Sequence, residues 1–265
     1  MSWDAARAAA LLLTRRRARL SAGPLLAGIA PVTEDDGVAV QYALARLMRA
    51  DPPAGFKIGA TAARMQAYLG LSGPAAGFMP HAGIHDSGIA LPWAAFRGPG
   101  VECEIGVRLS HDLPPGRYDA AQAAAAVATV FAAIEVVDNR YGPPPAGDLK
   151  ALGTPLLIAD QVYHAAAILG APVEGWQLHD LGAVEGRITV NGIQRGEGRG
   201  ADLLGHPMAA LAWLADSTVA RAFGGLRAGQ VVMLGSVTPP IWLDSPGTAQ
   251  VTFAGFGAPV VVSFV

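Results

Sequence analysis

Between positions 130 and 137 the chain reads Val-Phe-Ala-Ala-Ile-Glu-Val-Val, an apolar run broken only by Glu135. Apolar residues at both the odd and the even positions mean that both faces of this segment are covered. A carboxylate held there has to be matched by a cation or by several hydrogen-bond donors, since leaving it ionised and unpaired in an apolar interior is strongly unfavourable. No basic residue stands between Asp119 and Arg140, so the partner must come from a distant part of the chain.

A second acidic feature lies upstream, in Val101-Glu102-Cys103-Glu104-Ile105. Read as a strand, its period of two puts Glu102 and Glu104 on one face, roughly 7 Å apart, with Val101, Cys103 and Ile105 on the other. Taken alone, the pair describes a strand with its acidic face in water. If that face is buried, repulsion and desolvation raise both pKa values, and a divalent cation would cancel both penalties. Glu135 shifts the reading toward a chelate. Three carboxylates with no paired His or Cys are a hard-oxygen set suited to Mg²⁺, Mn²⁺ or Ca²⁺, with positions left open for water and substrate. Structural ion pairs also bury glutamates, so on residue types alone the two accounts stand level.

Composition narrows the alternatives. Of 265 residues, 52% are hydrophobic and 15% charged, enough to bury a large core and to predict one domain. Nineteen basic and 21 acidic residues give a net charge of −2, which provides no field for nucleic acid or an anionic membrane. The Arg15-Arg16-Arg17 and Arg19 cluster reads as a solvated helix face. One cysteine, Cys103, excludes an internal disulfide and a Cys-rich metal site and suits a cytoplasmic address. No apolar stretch reaches the roughly 20 residues that span a bilayer. Gly-x-Ser-x-Gly, Walker A and dinucleotide-binding signatures are absent from the sequence.

Periodicity predicts helices over residues 3–20 and 34–50, the second capped by Thr33, and then a strand at 55–59 and a helix at 62–69. Residues 71–100 read as loops with short strands such as 89–91. A strand is expected at 101–109, and an alanine-rich helix from 119 running into a strand near 133–137. The stretch 141–153, with Pro143-Pro144-Pro145, reads as a loop and candidate lid. Further strands are predicted at 156–158, 187–190, 230–234, 249–253 and 260–264, with a hairpin turn at Asn191-Gly192 and a helix at 202–216. His206 is expected to pack or cap, and His81 and His85 to sit in loops.

Lys57, one of two lysines, lies in Gly-Phe-Lys-Ile-Gly at 55–59. That segment, with VECEIGV at 101–107, AIEVVDNR at 133–140, IAD at 158–160, GRGADLLGHP at 198–207, GQVVMLGS at 229–236 and the closing FAGFGAPVVVSF, resembles the 2-keto-4-pentenoate (2-hydroxypenta-2,4-dienoate) hydratases of the fumarylacetoacetate hydrolase superfamily. The resemblance implies an α+β fold with a mixed β-roll, arranged as one catalytic domain over 1–265: a helical region at 1–52 and the roll at 53–265. It also implies a homo-oligomer acting on a small 2-oxo acid in aromatic catabolism. Mg²⁺ or Mn²⁺ would be held by Glu102, Glu104 and Glu135, with Lys57 beside the reacting group. Arg140, Asp160 and Ser236 are the matching candidates for substrate binding. The implied reaction is a lyase step, hydration of a 2-hydroxy-2,4-dienoate to a 4-hydroxy-2-oxo acid.

The chain departs from that pattern at Ala75, where an acid is expected ahead of a glycine, at the proline-rich loop 142–145 and at Gln161. Decarboxylation of a 2-oxo-3-enedioate on the same metal site, and a non-catalytic binding member, are the alternatives.

Overall fold

The computed structural model describes residues 3–142 and 152–265. Helix α1 (Ala5–Arg17) is capped by Asp4 and ends in three arginines, and α2 (Glu34–Leu47) opens on a capping box between Thr33 and Asp36 with three acids in its first turn. The chain then runs through β1 (Gly55–Gly59), α3 (Ala63–Leu69), β2 (Ala75–Met79), β3 (Ile84–Asp86), β4 (Ile89–Leu91), β5 (Pro99–Leu109), α4 (Ala120–Ala125) and β6 (Val127–Asp138). It continues with α5 (Thr154–Ala159), β7 (His164–Leu169), β8 (Glu185–Val190), β9 (Ile193–Arg199), α6 (Pro207–Ala215), α7 (Thr218–Ala222), β10 (Val231–Ser236), β11 (Ile241–Trp242), β12 (Gly247–Phe253) and β13 (Val260–Phe264).

Among the described residues the strands form two curled sheets. The larger has the order β2-β1-β10-β5-β6-β7-β3, with β11 added along β5, and the smaller runs β4-β13-β12-β8-β9. This is the α+β roll with a leading helical region that the sequence predicts. Strands β5 and β6 are covered on both sides. Val101, Cys103, Ile105, Val130, Ile134 and Val136 face the main core, which also takes in Ala8, Ala9 and Leu12 of α1. The opposite face carries a smaller apolar cluster that includes Met79, Phe131, Ala133, Ala167 and Met233. Burial of both faces is why β6 reads as a nearly continuous apolar run.

Several elements differ from expectation. The helix expected from residue 119 stops at Ala125, because Val127, Thr129, Val130 and Ile134 favour the strand that runs between β5 and β7. Residues 156–158 form part of α5 instead of a strand: Pro155 sits in its first turn, and the buried Gln41 side chain donates to Ile158 O and Ala76 O. β2 is one of the short strands expected among the loops of 71–100, whereas β7 stands where the sequence predicts no strand. His85 falls in the short strand β3, whereas His206 caps α6 as expected, its Nδ1 accepting from Met208 N. Asn191 and Gly192 make the predicted hairpin turn with φ of 51° and 77°. The helix expected over 202–216 is shortened to α6, starting at Pro207. The loop expected at 141–153 falls mostly on 143–151, outside the described residues, as does the proline run. No described helix is long and apolar enough to cross a membrane.

Candidate metal centre

Antiparallel pairing of β5 with β6 sets Glu102 directly opposite Glu135, and Glu104 follows two residues along the same face. One oxygen from each carboxylate lies within 4.8 Å of the other two. Glu104 and Glu135 are fully buried, and Glu102 is half-buried at the mouth of a cavity. Strand β10 contributes Gly235, whose N–H donates to Glu104 Oε2 at 3.1 Å. Gly235 has φ of 111° at a break in the β10–β5 register, and a Cβ there would stand 2.6 Å from Thr61 Cγ2. Any other residue would therefore strain the turn that delivers this N–H.

Lys57 reaches the same face from β1. Its ammonium lies 3.2 Å from Glu135 Oε1 and donates to Val162 O at 2.8 Å, with the residue only 1% exposed. His164, at the start of β7, places Nδ1 2.9 Å from the same Glu135 oxygen. Burial lowers the His164 pKa, against the pull of Glu135, so the ring is neutral and Nδ1–H donates. Burial and the neighbouring Glu135 push Glu102 up to about 8, and the same two causes raise Glu104. Burial acts on Glu135 in that direction too, but Lys57 and His164 outweigh it and hold its carboxyl down. Three carboxylates facing one lysine leave the pocket short of positive charge. Glu104 Oε1, Glu135 Oε2 and His164 Nε2 are buried with no hydrogen-bond partner. Converging oxygens with unused acceptor capacity are what a hard divalent cation requires, so these residues fit one.

Two cavities meet at Glu102. One, of about 290 Å³, takes in the polar side chains of Ser236, Thr238, Thr61, Glu197 and Asp202 beside Pro239 and Pro240. The other, of about 150 Å³, runs past Lys57 and Asn139 to an apolar wall of Val162, Tyr163, Met65 and Trp242. Ser236 therefore lines the cavity at whose mouth Glu102 stands. Arg140 and Asp160 line neither cavity. They form an adjoining buried cluster in which Arg140 Nε meets Asp160 Oδ2 at 2.7 Å and Arg16 Nη2 meets Asp160 Oδ1 at 2.6 Å. Arg16 thus leaves the solvated face expected of the basic cluster, and Arg15 likewise spends its guanidinium on Ala22 O and Pro24 O. His164, Thr238, Trp242, Glu197 and Asp202 escaped the sequence reading. Strand pairing and the segments that follow the strands bring them to the glutamates, and of the five only Asp202, within GRGADLLGHP, lies in a resembling motif. Ala75 pairs with Gly59 on the Lys57 side of the β1–β2 ladder, so the family's acid would have stood there.

The link from α5 to β7 is unusual. Gln161, Val162 and Tyr163 all have positive φ, at 62°, 50° and 67°. For residues with a Cβ each such conformation costs about 1–3 kcal/mol, most for β-branched valine. Arg140 donates to the carbonyls of Asp160, Tyr163 and His164, Arg16 to Gln161 Oε1, and Gln161 Nε2 to Phe78 O, pinning the turn from three sides. Burial raises the Asp160 pKa, but the two guanidiniums outweigh it and the net shift is downward. Asp160 therefore contributes stability that is complete above its ordinary value of 3.8 and is lost as pH falls through the lowered folded value. Removing one partner of a buried pair costs about 3–5 kcal/mol. D160N is expected to melt roughly 6–20 °C below the parent at pH 7. In thermal scans that gap narrows as pH is taken below about 4, and a pH-independent gap would contradict the ion-pair account.

The fold and the site define a class of protein, a mixed β-roll built around three inward carboxylates and a buried lysine. Residues 71–261 match the fumarylacetoacetate (FAA) hydrolase C-terminal family, and the chain belongs to it. It is 34% identical over 204 residues to a 2-keto-4-pentenoate hydratase of Burkholderia vietnamiensis, covering 77% of this chain and 75% of that protein. To 2-hydroxyhexa-2,4-dienoate hydratase of Comamonas testosteroni it is 29% identical over 249 residues, 91% of this chain and 90% of the relative. The solved structure of 4-oxalocrotonate decarboxylase from Pseudomonas putida G7, complexed with magnesium and adipate, shares the fold. It aligns with a TM-score of 0.86 over 98% of this chain and 97% of its own, at 22% identity.

Proposed function

We propose that the chain is a divalent-metal-dependent hydratase that converts a 2-hydroxy-2,4-dienoate, through its 2-oxo-4-enoate form, into a 4-hydroxy-2-oxo acid. The observation that carries this reading is the meeting of Glu102, Glu104 and Glu135 within 4.8 Å, beside Lys57, in a chain whose relatives are dienoate hydratases. Those three carboxylates would hold Mg²⁺ or Mn²⁺. Once bound, such an ion supplies Lewis acidity toward the oxygens of a 2-hydroxy or 2-oxo acid.

The remaining work falls to the chain's own groups. Glu135 is oriented by His164 and Lys57 and cannot swing away from Glu102 and Glu104 without breaking both contacts. The Lys57 ammonium, fixed by Val162 O, offers its remaining N–H to negative charge developing at the enolate and can pass a proton to the substrate carbon skeleton. Thr238 offers its hydroxyl to the substrate carboxylate from the cavity it lines with Glu102, and Ser236, whose Oγ–H donates to Cys103 O at 3.3 Å, would join it by giving up that bond. With Ala75 in place of an acid, Glu197 and Asp202 across the same cavity are the remaining acids for proton transfer at C4. The helical region and the roll would act as one catalytic unit, in the cytoplasm and as a homo-oligomer.

The test is to mix metal-free and Mg²⁺-loaded enzyme with 2-hydroxypenta-2,4-dienoate and follow its ultraviolet absorbance and products. The expected result is rapid loss of the dienoate and formation of 4-hydroxy-2-oxopentanoate in the loaded sample only. Equal, negligible turnover in both would reject the hydratase. Running a 2-oxo-3-enedioate in parallel separates decarboxylation, which releases CO₂.

A further inference from the structure

We propose that Arg16, on α1, is a positioning residue for Lys57, acting through the strained turn at Gln161, Val162 and Tyr163. This inference rests on the role given to Lys57 above. The Lys57 ammonium has two contacts among those described, Glu135 Oε1 at 3.2 Å and Val162 O at 2.8 Å. The first belongs to the carboxylate cluster. The second therefore decides where the ammonium sits relative to it, and its acceptor belongs to the most strained residue of the turn, Val162 at φ 50° and ψ 54°. Three successive left-handed residues, none of them glycine, do not hold themselves in place.

Arg16 holds them. Its Nη1 donates to Gln161 Oε1 at 2.5 Å and its Nη2 to Asp160 Oδ1 at 2.6 Å, so one guanidinium grips both the residue before the turn and the first residue in it. Arg140 grips Asp160 and the turn's far end, donating to Tyr163 O and His164 O. Lysine at position 16 could keep one of its contacts but not the fork. Arg16 lies 144 positions from Asp160 and precedes the family-matched stretch 71–261. The N-terminal helix thereby sets the geometry of a site to which it contributes no lining residue.

Arg16 therefore matters only as long as the turn is strained. Glycine at position 162 adopts positive φ without penalty, so V162G removes the largest single share of the strain in the turn and should lessen the need for the clamp. The experiment is a double-mutant cycle of R16Q and V162G, with R16K as the conservative variant. It is read by kcat and KM on the dienoate and by the ¹⁵Nζ signal of Lys57 in lysine-labelled protein. A K150R background leaves Lys57 as the only lysine in the parent, R16Q and V162G proteins, which assigns that signal; R16K adds a second signal, told apart as the one that persists in the R16K/K57M double variant. R16Q is expected to lower kcat tenfold or more with KM changed less than threefold, to move the Lys57 signal and to speed its proton exchange. R16K should fall between R16Q and the parent. Within the V162G background, R16Q should lower kcat less than threefold and leave the signal in place. An unchanged Lys57 signal in folded R16Q, or an equal R16Q effect in both backgrounds, overturns the proposal. Should R16Q fail to fold, the R16K comparison in both backgrounds decides the matter by the same two readouts. The Lys57 signal needs neither metal nor substrate, so the positioning role is tested even if the dienoate proves not to be turned over.

Discussion

Titrated with Mn²⁺, an E104Q variant binds at least about 100-fold more weakly than the parent, exceeding the roughly 10–100-fold loss seen when only an outer partner of a metal ligand is removed. Glu104 is fully buried with Oε1 unpaired, so its contribution to a bound cation cannot be replaced by water entering from the cavity. At a Mn²⁺ concentration 100 times the parent Kd, the parent gains about 2.7 kcal/mol and the variant no more than about 0.4 kcal/mol. For a chain of this size the parent's gain corresponds to a rise in Tm of roughly 5–11 °C. Without metal the order reverses. The amide removes one of three clustered acids, so E104Q folds at least as stably as the parent. Equal Mn²⁺ affinity by calorimetry in the two proteins would rule out the three-carboxylate site.

The second large effect concerns Lys57. Methionine at this position keeps the length and apolar stem and removes the charge, and steady-state turnover of the dienoate by K57M is expected to fall about 10²- to 10⁴-fold in kcat. Metal binding should move the other way. The ammonium lies 3.2 Å from Glu135 Oε1 and repels an incoming cation, so K57M binds Mn²⁺ at least as tightly as the parent. The combination separates chemistry from metal capture. A kcat within tenfold of the parent would remove Lys57 from the reaction.

Glu135 illustrates what the sequence reveals and what it withholds. Its apolar flanks announce burial, and burial of a carboxylate demands a partner, so the cluster could be anticipated before any strand was paired. Which partner it finds was not legible, because Lys57 and His164 reach it only through the order β1-β10-β5-β6-β7. His164 opens an alanine-rich strand whose local pattern says nothing of a carboxylate across the ladder. The same limit explains the misreading of Arg16. Its neighbours Arg15 and Arg17 make the segment look like one charged surface, and only the distant Asp160 singles it out. The first part of strand β6 reads as helix because an alanine run precedes it and alanine carries high helix propensity, while the pairing on both sides that decides the matter is non-local. Arg140 and Asp160 stand within the resembling motifs, and a motif gives a residue's place in the chain without saying whether its side chain faces a cavity or a neighbour.

The placement of β10 has a bearing on how the molecule is made. Strand β10 lies between β1 and β5, and it is synthesised after all the other central strands. Until residues 231–236 leave the ribosome, β1 and β5 have no strand between them, and the lysine is tied to the acids' side of the sheet through the 161–163 turn in place of a continuous ladder. Contacts that span so much of the chain form slowly and together. The sheet that carries the carboxylates and the lysine is thus completed only when β10 pairs with β1 and β5 together, and a nascent chain stalled before that strand lacks the element that seats Lys57 across from the acids.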